Sequence, residues 1–598
     1  MPVIRALIAI GAALALADAS VVTLALPPML DDLDTTVEGV AAVIGVYTLV
    51  LAALLPAASR LRRWIPDAAL GAGGFAVFAL AGALCSLPDD LAAMLAFRAL
   101  QAAGAAAALV AAFALLGGGR LWVIAALFGT AVGPALGGAL TQAFDWRAIF
   151  LAQVPLGLAA AAAAAVMARG GERAAAAAGR PVPVAARGDA ASSAAAAGRP
   201  ARVAARGDAA SSAAAGRPPV TAPAQDARSL VAPAGGAGAL VALAGLSAAL
   251  TAVLFLLVLL LVSGWSLEPL AAAATVSVLP VAAFAGARVR GSATLRASAG
   301  CALAGAGVLA LAVLPAAAPE WVVAPQLVAG VGMGMALPAL AGGLLPERTP
   351  GQAAWLLAAR HAGITLALVA IAPVVAAQLD DAVSDVRERG AALILDAKLP
   401  PLDKIELAGP LVADLDPVNP RDSLRAALDE QARRFADDPG QRREYAELTE
   451  RADETLVAGI EDAFRIAFVI AGALALGGAL AVLPRAPRDR TLALAAMLAA
   501  LTLPALHAVV RPQLAPEPVA IADPCAPREL PGTGGIQGFV QDAALKALDR
   551  AACRFGSSRE ELALALADED DARAYRARFG VDPRSAGGLL ELLGISLG

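Results

Sequence analysis

Three ionisable side chains interrupt long apolar runs of the sequence: Asp18, Arg98 and Arg360. A charged group at the centre of a bilayer costs about 2.5–3.5 kcal/mol on insertion scales, so it is normally kept only beside a partner or a cavity. A carboxylate that faces an arginine can also exchange a proton when that pairing changes. Asp18 is therefore the candidate proton switch and Arg98 its candidate partner. The alternative is a purely structural pair that holds two helices together.

Two further polar side chains accompany these charges. Gln101 lies three residues after Arg98, where it can bind a substrate or satisfy the guanidinium. His361 follows Arg360 and can titrate near neutral pH, with helix packing as the alternative role. The two histidines lie far apart and the four cysteines have no C-x-x-C spacing. The sequence therefore predicts no metal site and no cofactor.

Membrane-spanning helices must position these residues. Of the 598 residues, 59% are hydrophobic and 16% are charged, whereas soluble domains have about 45–50% and about 25%. Apolar runs long enough to cross a bilayer recur along the chain. The composition predicts an all-α polytopic membrane protein and excludes a soluble enzyme. The aromatic content of 4% and the net charge of -5 argue against nucleic-acid binding.

The apolar runs predict thirteen spans, grouped as two bundles of six and one extra helix. The first bundle is residues 1–168, with spans at 4–27, 40–58, 68–87, 91–117, 121–143 and 148–168. The second is residues 238–379 and 463–484, with spans at 238–263, 269–287, 295–315, 322–345, 353–379 and 463–484. The extra span is residues 491–510.

Charge asymmetry predicts the orientation in a cell membrane. The segment 169–237 is low in complexity and carries nine arginines against four acids, so we expect a disordered cytoplasmic linker. The segment 380–462 carries 21 acids against 11 basic residues and is expected to form an exterior helical insert. The N-terminus is then cytoplasmic. An odd number of spans places the C-terminus outside.

The C-terminal segment 511–598 is expected to be an exterior helical domain. Ser558 precedes Glu561 by three residues, which is the spacing of a capping box. Cys525 and Cys553 can form a disulfide because the exterior is oxidising; the alternative is two unpaired cysteines in a poorly ordered tail.

The fifth predicted span contains a glycine and proline stretch: Gly129, Gly133, Pro134, Gly137 and Gly138. Small residues four apart let helix backbones approach closely, and a proline bends a helix. Together with its flank, the stretch reads "GTAVGPALGGALTQAFDWRAIFLAQVPLG". It closely resembles the antiporter signature of the major facilitator superfamily, in particular the drug:proton antiporter branch.

Other segments carry the same resemblance in the same order. "ADASVVTLALPPM" resembles the first-helix motif and contains Asp18, and "RALQAAGAA" resembles an Arg-x-x-Gln motif. "AARHAGITLAL" places Arg360 at the usual arginine. One loop departs from the family pattern: "SRLRRWIPDAALG" has Arg63 where the gate-loop aspartate is expected. The resemblance implies a major facilitator fold of six plus six helices, here with one additional C-terminal transmembrane helix.

The resemblance also implies a function, which is that of a transporter and not of an enzyme. We expect an alternating-access secondary transporter that exports drug-like or amphipathic small molecules in exchange for protons. The polar residues named above would surround its cavity, and its partners would be the lipid bilayer, the substrate and protons. The alternative is a transporter-derived receptor or assembly protein, or an envelope lipid exporter. Either would bind an envelope or extracellular partner through residues 380–462 and 512–598.

Overall fold

All regular elements of the described chain are helices. The structure is a computed structural model that describes residues 1–177, 236–404, 407, 419–532 and 535–585. Within these residues twelve helices are long and apolar enough to cross a membrane. A further helix, Arg120–Ala143, has the length of a span, although four of its side chains are outside the described set. The prediction of an all-α polytopic membrane protein is confirmed.

We number the helices in chain order. The first six are α1 (Pro2–Asp32), α2 (Val37–Leu61), α3 (Asp67–Cys85), α4 (Leu91–Leu116), α5 (Arg120–Ala143) and α6 (Arg147–Ala177). The next five are α7 (Ala237–Gly264), α8 (Pro269–Gly286), α9 (Ala293–Leu311), α10 (Pro319–Leu344) and α11 (Pro350–Asp396). The last six are α12 (Pro420–Ala432), α13 (Pro439–Ala481), α14 (Pro487–Leu514), α15 (Gly535–Phe555), α16 (Arg559–Ala567) and α17 (Glu569–Phe579).

The predicted low-complexity linker falls mainly outside the described residues. Its first part does not follow the prediction, because α6 continues to Ala177 and passes the expected boundary at residue 168. Alanine favours helix strongly, and the stretch after residue 168 is rich in alanine. Helix propensity therefore carries α6 beyond the apolar run that hydropathy detects.

Glycines set the closest helix pairs in both halves. A Cβ at Gly74 of α3 would lie 2.5 Å from the backbone nitrogen of Ala108 in α4. In the second half, a Cβ at Gly300 of α9 would lie 2.6 Å from the carbonyl oxygen of Gly332 in α10. In lipid, helices associate through close packing and not through the hydrophobic effect. Residues without a side chain therefore decide which helices pair.

The two halves meet along two helix pairs. One pair is α2 with α11, and the other is α5 with α8. Between α2 and α11, the hydroxyl oxygens of Thr48 and Thr365 lie 2.9 Å apart and are buried. This arrangement leaves a central space between the halves where α1, α7 and α10 face one another.

The acidic insert differs in form from the prediction. We expected a helical insert between residues 380 and 462, with the flanking spans ending at 379 and starting at 463, but α11 runs for 47 residues and α13 for 43 without interruption. At 1.5 Å per residue, α11 is about 70 Å long, more than twice the roughly 30 Å hydrocarbon core. The spanning helices themselves project from the bilayer and carry α12. Hydropathy alone misses this because polarity changes while the helix continues.

The C-terminal helices pack on this projection. Arg387 of α11 forms two hydrogen bonds with the carboxylate of Asp571, at 3.1 and 2.7 Å. The structure joins Cys525 and Cys553 in a disulfide, which ties the segment after α14 to α15. The predicted capping box is confirmed, because Ser558 Oγ accepts from the Glu561 amide at 2.9 Å and the carboxylate accepts from the Ser558 amide at 3.1 Å.

Candidate functional site

The predicted switch and its partner lie together in the first half. Asp18 of α1 and Arg98 of α4 are both fully buried. Arg98 Nη1 lies 2.7 Å from Asp18 Oδ2. Gln101 joins the pair, since its Oε1 accepts a hydrogen bond from Arg98 Nη1 at 2.7 Å and its amide donates to Asp18 Oδ1 at 3.3 Å. The three side chains form one buried polar network, which we call the Asp18 network.

The Asp18 network includes residues that the sequence analysis missed. Gln153 of α6 is buried and donates a hydrogen bond to Asp18 Oδ1 at 3.3 Å. Arg98 Nε donates to the carbonyl of Val43 in α2 at 3.1 Å. The guanidinium carbon lies 4.5 Å from the centre of the Tyr47 ring, within the range of a cation–π contact. Four helices of the first half therefore share one carboxylate and one arginine.

Arg360 and His361 lie in α11 of the second half, which packs against α2 of the first half. Arg360 lines the central space between the halves. His361 is 1% exposed, and its Nδ1 lies 2.7 Å from the carbonyl oxygen of Leu357 in the same helix. Because a carbonyl only accepts, Nδ1 must carry the proton. This geometry corresponds to the helix-packing alternative for His361.

The central space is a cavity of about 500 Å³. Phe113 and Trp122 line it from the first half, and Leu337 and Leu357 line it from the second. A deeper pocket of about 60 Å³ shares part of this wall, including Arg360. The wall is mainly apolar with two arginines, Arg348 and Arg360, which is the arrangement of a pocket for an amphipathic small molecule.

The cavity lies towards the end of the molecule that holds the N-terminus. Gly118 in the α4–α5 loop and Arg348 in the α10–α11 loop both line it. Arg5, near the start of α1, donates a hydrogen bond to the carbonyl of Leu116 at 3.2 Å. This contact places the start of α1 beside the end of α4, next to the α4–α5 loop. The cavity therefore opens on the N-terminal side of the membrane.

The opposite end is closed by contacts between α5 and α8. The side-chain amide of Gln142 donates to Glu268 Oε2 at 3.1 Å, and its Oε1 accepts from the amide of Leu270 at 2.9 Å. The Leu270 amide is one of the free donors at the start of α8, so Gln142 also caps that helix. We call these contacts the α5–α8 latch.

The glycine motif of α5 packs against two helices. A Cβ at any of the four glycines would overlap a neighbour: Gly129 with Ala13, Gly133 with Ser20, Gly137 with Val21 and Gly138 with Ala273. The first three neighbours are in α1 and the last is in α8. Pro134, within the same motif, lines the deeper pocket. The motif therefore brings α1, α5 and the second half into contact around the cavity.

The residues after the motif form hydrogen bonds at the end of the first half that lies opposite the N-terminus. Trp146 Nε1 donates to Asp32 Oδ2 at 2.7 Å, and Arg147 Nη1 donates to the same oxygen at 2.7 Å. Arg147 Nη2 donates to Asp89 at 2.9 Å. The end of α1, the α3–α4 loop and the start of α6 are thereby joined.

The divergent gate loop makes its own ion pair. Arg62 Nη2 lies 2.9 Å from Asp67 Oδ2, and both residues belong to the α2–α3 region. Asp67 occupies the first turn of α3, where the helix dipole also favours a negative charge. The family pattern has an acid at the position of Arg63. In this chain the acid of the loop is instead Asp67, four residues later.

Comparison with known proteins identifies relatives in drug resistance and export. The profile described as Major Facilitator Superfamily matches residues 8–367. The methylenomycin A resistance protein of Bacillus subtilis (strain 168) is 32% identical over 164 residues, which are 26% of this chain and 35% of that protein. The cephamycin export protein CmcT of Amycolatopsis lactamdurans is 35% identical over 152 residues, or 24% and 31% of the two chains.

The matched region spans about a third of the length of these relatives. A solved structure with a similar chain course is a bacterial homologue of the human lysosomal transporter Spinster, inward-facing and unoccupied. It covers 82% of this chain and 98% of its own, with 14% identity and a TM-score of 0.47. Because the family profile covers more than half of the 598 residues, the chain belongs to the major facilitator superfamily.

Proposed function

We propose that this protein is a proton-coupled exporter of drug-like or amphipathic small molecules that works by alternating access. The observation that carries the proposal is the position of Asp18 on α1. Its carboxylate points into the first half and bonds Arg98 and two amides. Leu16, two residues before it, lines the central cavity and the deeper pocket, and Ser20, two residues after it, lines the deeper pocket. One helix therefore has a titratable group on one face and the cavity on another.

Protonation of Asp18 removes half of the ion pair. The neutral acid loses most of its attraction to Arg98, so α1 is held less firmly to α4. The opposite side of α1 rests on the glycines of α5, which permit close sliding contact. A proton at Asp18 can thus change the packing of α1, and with it the shape of the cavity wall.

The substrate class follows from the cavity wall and from the relatives. The wall offers Phe113, Trp122 and Leu337 for an apolar body and Arg360 for a polar or negative group. The relatives are named for antibiotic resistance and export. We propose a transporter over the receptor and lipid-exporter alternatives because a buried ion pair beside a central cavity has a direct use in alternating access.

The proposed orientation places the N-terminus in the cytoplasm of the cell and the C-terminus outside. Arginine-rich loops on the N-terminal side support it, since cytoplasmic loops carry excess arginine and lysine. The structure is then in an inward-facing state. Residues 1–168 would form one half, and residues 238–379 with 463–484 the other. The segments 380–462 and 511–598 would be exterior parts of the transporter.

The test is transport by the purified full-length protein in proteoliposomes. We expect an amphipathic fluorescent substrate to be driven across the membrane by an imposed pH gradient and to return when a protonophore collapses it. The direction is opposite to proton flow. Equal accumulation with and without the gradient would contradict proton coupling. Movement in neither condition, for a panel of anionic, neutral and cationic compounds, would contradict the substrate class.

A further inference from the structure

The central cavity and the deeper pocket share one charged side chain, Arg360. The cavity has a volume of about 500 Å³ and the pocket about 60 Å³, and Leu16, Met333 and Leu337 also line both. The two are therefore parts of one continuous space, which is wide on the N-terminal side and narrow further in. Arg360 lies where the wide and narrow parts meet.

Positive charge exceeds negative charge along this space. Arg348 and Arg360 line it, whereas no aspartate or glutamate among the described residues does. The four side chains of α5 outside the described set belong to uncharged residue types. Glu347 precedes Arg348 in the exposed α10–α11 loop, and the nearby pair of Asp18 and Arg98 adds one charge of each sign. The charge that remains inside the space is that of the Arg360 guanidinium.

The deeper pocket also contains a hydroxyl without a partner among the described residues. Ser247 of α7 lines the pocket and is 5% exposed, and its Oγ forms no hydrogen bond there. The hydroxyls of Ser20 and Thr23 on the α1 side already donate to backbone carbonyls, at 2.8 and 2.7 Å. A buried hydroxyl without an acceptor costs free energy that a bound acceptor would recover. The pocket therefore offers a guanidinium and a hydroxyl as donors.

The dimensions of the space distinguish the two ends of a ligand. A volume of about 60 Å³ is about twice the share of one molecule in liquid water, so the deeper pocket admits a group of a few atoms such as a carboxylate. The wide part lies within the range of drug-sized pockets. There the rings of Phe113 and Trp122 stand edge to face with their centres 5.1 Å apart, and they offer a large apolar surface.

We propose that the transported molecule is an organic anion whose carboxylate enters the deeper pocket and binds Arg360 and Ser247. Its apolar body then lies in the wide part, against Phe113 and Trp122. An arginine suits this role because its planar fork matches the two oxygens of a carboxylate. The inference rests on the proposed transport function and narrows its substrate class from amphipathic compounds to amphipathic acids.

The test is equilibrium dialysis of three radiolabelled probes against the full-length protein in nanodiscs of zwitterionic lipid. Empty nanodiscs measure the uptake by lipid. The probes share a naphthyl body and differ in charge: naphthylacetate, its neutral amide, and naphthylethylamine. The parent protein should bind the acid about tenfold or more tightly than the amide, and the amine most weakly. The proposal is overturned if the acid binds no more tightly than the amide, which includes the case in which neither binds.

Two variants test the two donors. Arg360→Gln should weaken binding of the acid by about tenfold or more and leave binding of the amide within about twofold, because only the acid loses a charged partner. Retained amide binding also shows that the variant is folded. Ser247→Ala is a smaller change and should weaken the acid by about three- to tenfold, again without effect on the amide.

Arg290→Gln is the matched control, since Arg290 is exposed in the α8–α9 loop and lines neither part of the space. It should bind all three probes like the parent. If Arg360→Gln and Ser247→Ala prefer the acid as strongly as Arg290→Gln does, the proposal is overturned.

The dialysis uses no pH gradient, so its outcome is independent of proton coupling. Gradient-driven transport of neutral or cationic compounds but not of acids would support the proposed function and overturn the anion preference. Tight binding of the acid without gradient-driven transport would do the reverse.

Discussion

Among the described residues, two arginines have no exposed surface: Arg98 lies in a membrane-spanning helix and Arg559 lies in the C-terminal helices. Arg98 has a single ion-pair partner among the described residues, Asp18. Arg559, at the start of α16, lies beside three carboxylates: Glu560 at 2.9 Å, Asp396 at 2.7 Å and Asp549 at 3.9 Å. The two sites contain the same chemical groups in different numbers.

The number of acids beside the arginine determines what each site can do. Around Arg559, the loss or protonation of one acid leaves others to balance the charge, so the cluster suits a structural joint between α16 and α11. Around Arg98, one proton on Asp18 removes the whole counter-charge. A site with one acid can act as a switch, whereas a site with three resists switching.

The largest effect is expected for Arg98→Met. The change leaves Asp18 buried without its cation, and removing one partner of a buried pair costs about 3–5 kcal/mol. We expect this loss in the free energy of unfolding, measured by denaturant titration in detergent, together with loss of transport. A variant as stable as the parent would show that Asp18 finds another cation.

The double variant Asp18→Asn with Arg98→Met separates stability from coupling. Removing both charges ends the uncompensated burial, so stability should recover most of what Arg98→Met loses. Gradient-driven transport should remain absent, because no titratable group is left at this position. Recovery of both properties would contradict the switch.

The next largest loss in the free energy of unfolding is expected at the contact between α1 and α5. A Cβ at Gly137 would overlap the backbone of Val21, so Gly137→Ala must push the two helices apart. We expect a loss of about 1–3 kcal/mol in the free energy of unfolding and slower transport. Gly45→Ala is the matched control, since the space around Gly45 is open. If both variants behave alike, the close contact has no role.

The α5–α8 latch should be weaker than either arginine site because its groups are exposed. Gln142→Ala removes its hydrogen bonds to Glu268 and Leu270, each worth about 0.5–1.5 kcal/mol. We expect the outward-open state to gain population by up to about tenfold. The measurement is labelling of single cysteines placed at the outer ends of α5 and α8. Unchanged labelling would place the closing contacts elsewhere.

The cluster of acids around Arg559 should tolerate the loss of one acid. The side chain of Asp396 is 51% exposed, and Arg559 keeps Glu560 when Asp396 is replaced. Asp396→Asn should therefore cost about 1 kcal/mol or less in the free energy of unfolding. Thermal unfolding of the purified parent protein and of the variant measures this loss in stability. A loss as large as that of Arg98→Met would remove the contrast between the two sites.

A separate prediction concerns the pH dependence of stability at Lys404. Burial lowers the pKa of Lys404 from its ordinary 10.5 to about 8, and its Nζ donates to the carbonyl of Leu395 at 2.8 Å. Between these two pH values the unfolded state binds more protons, so stability should rise with pH through that window and change little below it. Comparing unfolding of the parent with Lys404→Met across this range tests the sign. An identical pH dependence in both would contradict it.

Much of the site was predictable because polar residues are rare in apolar spans. Asp18, Arg98 and Gln101 drew attention for that reason, and the structure brings them together. Gln153 offered the same signal, but it lies within a long motif whose glycines dominated the interpretation. Tyr47 offered none, since an aromatic residue in a span is ordinary. Its contact with Arg98 depends on how α2 packs against α4, which periodicity does not give.

The helix positions were also predictable, but some of their ends were not. The fourth span was expected at 91–117 and is found at Leu91–Leu116, where Asp90 caps its start and Gly117 adopts a left-handed conformation at its end. The eleventh was expected to end at residue 379 and continues to Asp396. Capping residues mark a true helix end, whereas a fall in hydropathy marks only the edge of the membrane. In long helices that continue beyond the bilayer, the fall in hydropathy and the capping residues therefore lie at different positions.

The central claim is that Asp18 is the proton switch and not a structural pin. The most direct measurement compares Asp18→Asn with Glu38→Gln, an exposed acid at the start of α2, in proteoliposomes. We predict that Asp18→Asn loses uphill transport driven by a pH gradient while it still exchanges substrate down a concentration gradient, and that Glu38→Gln retains both. If Asp18→Asn transports uphill as well as the parent protein, the account is contradicted.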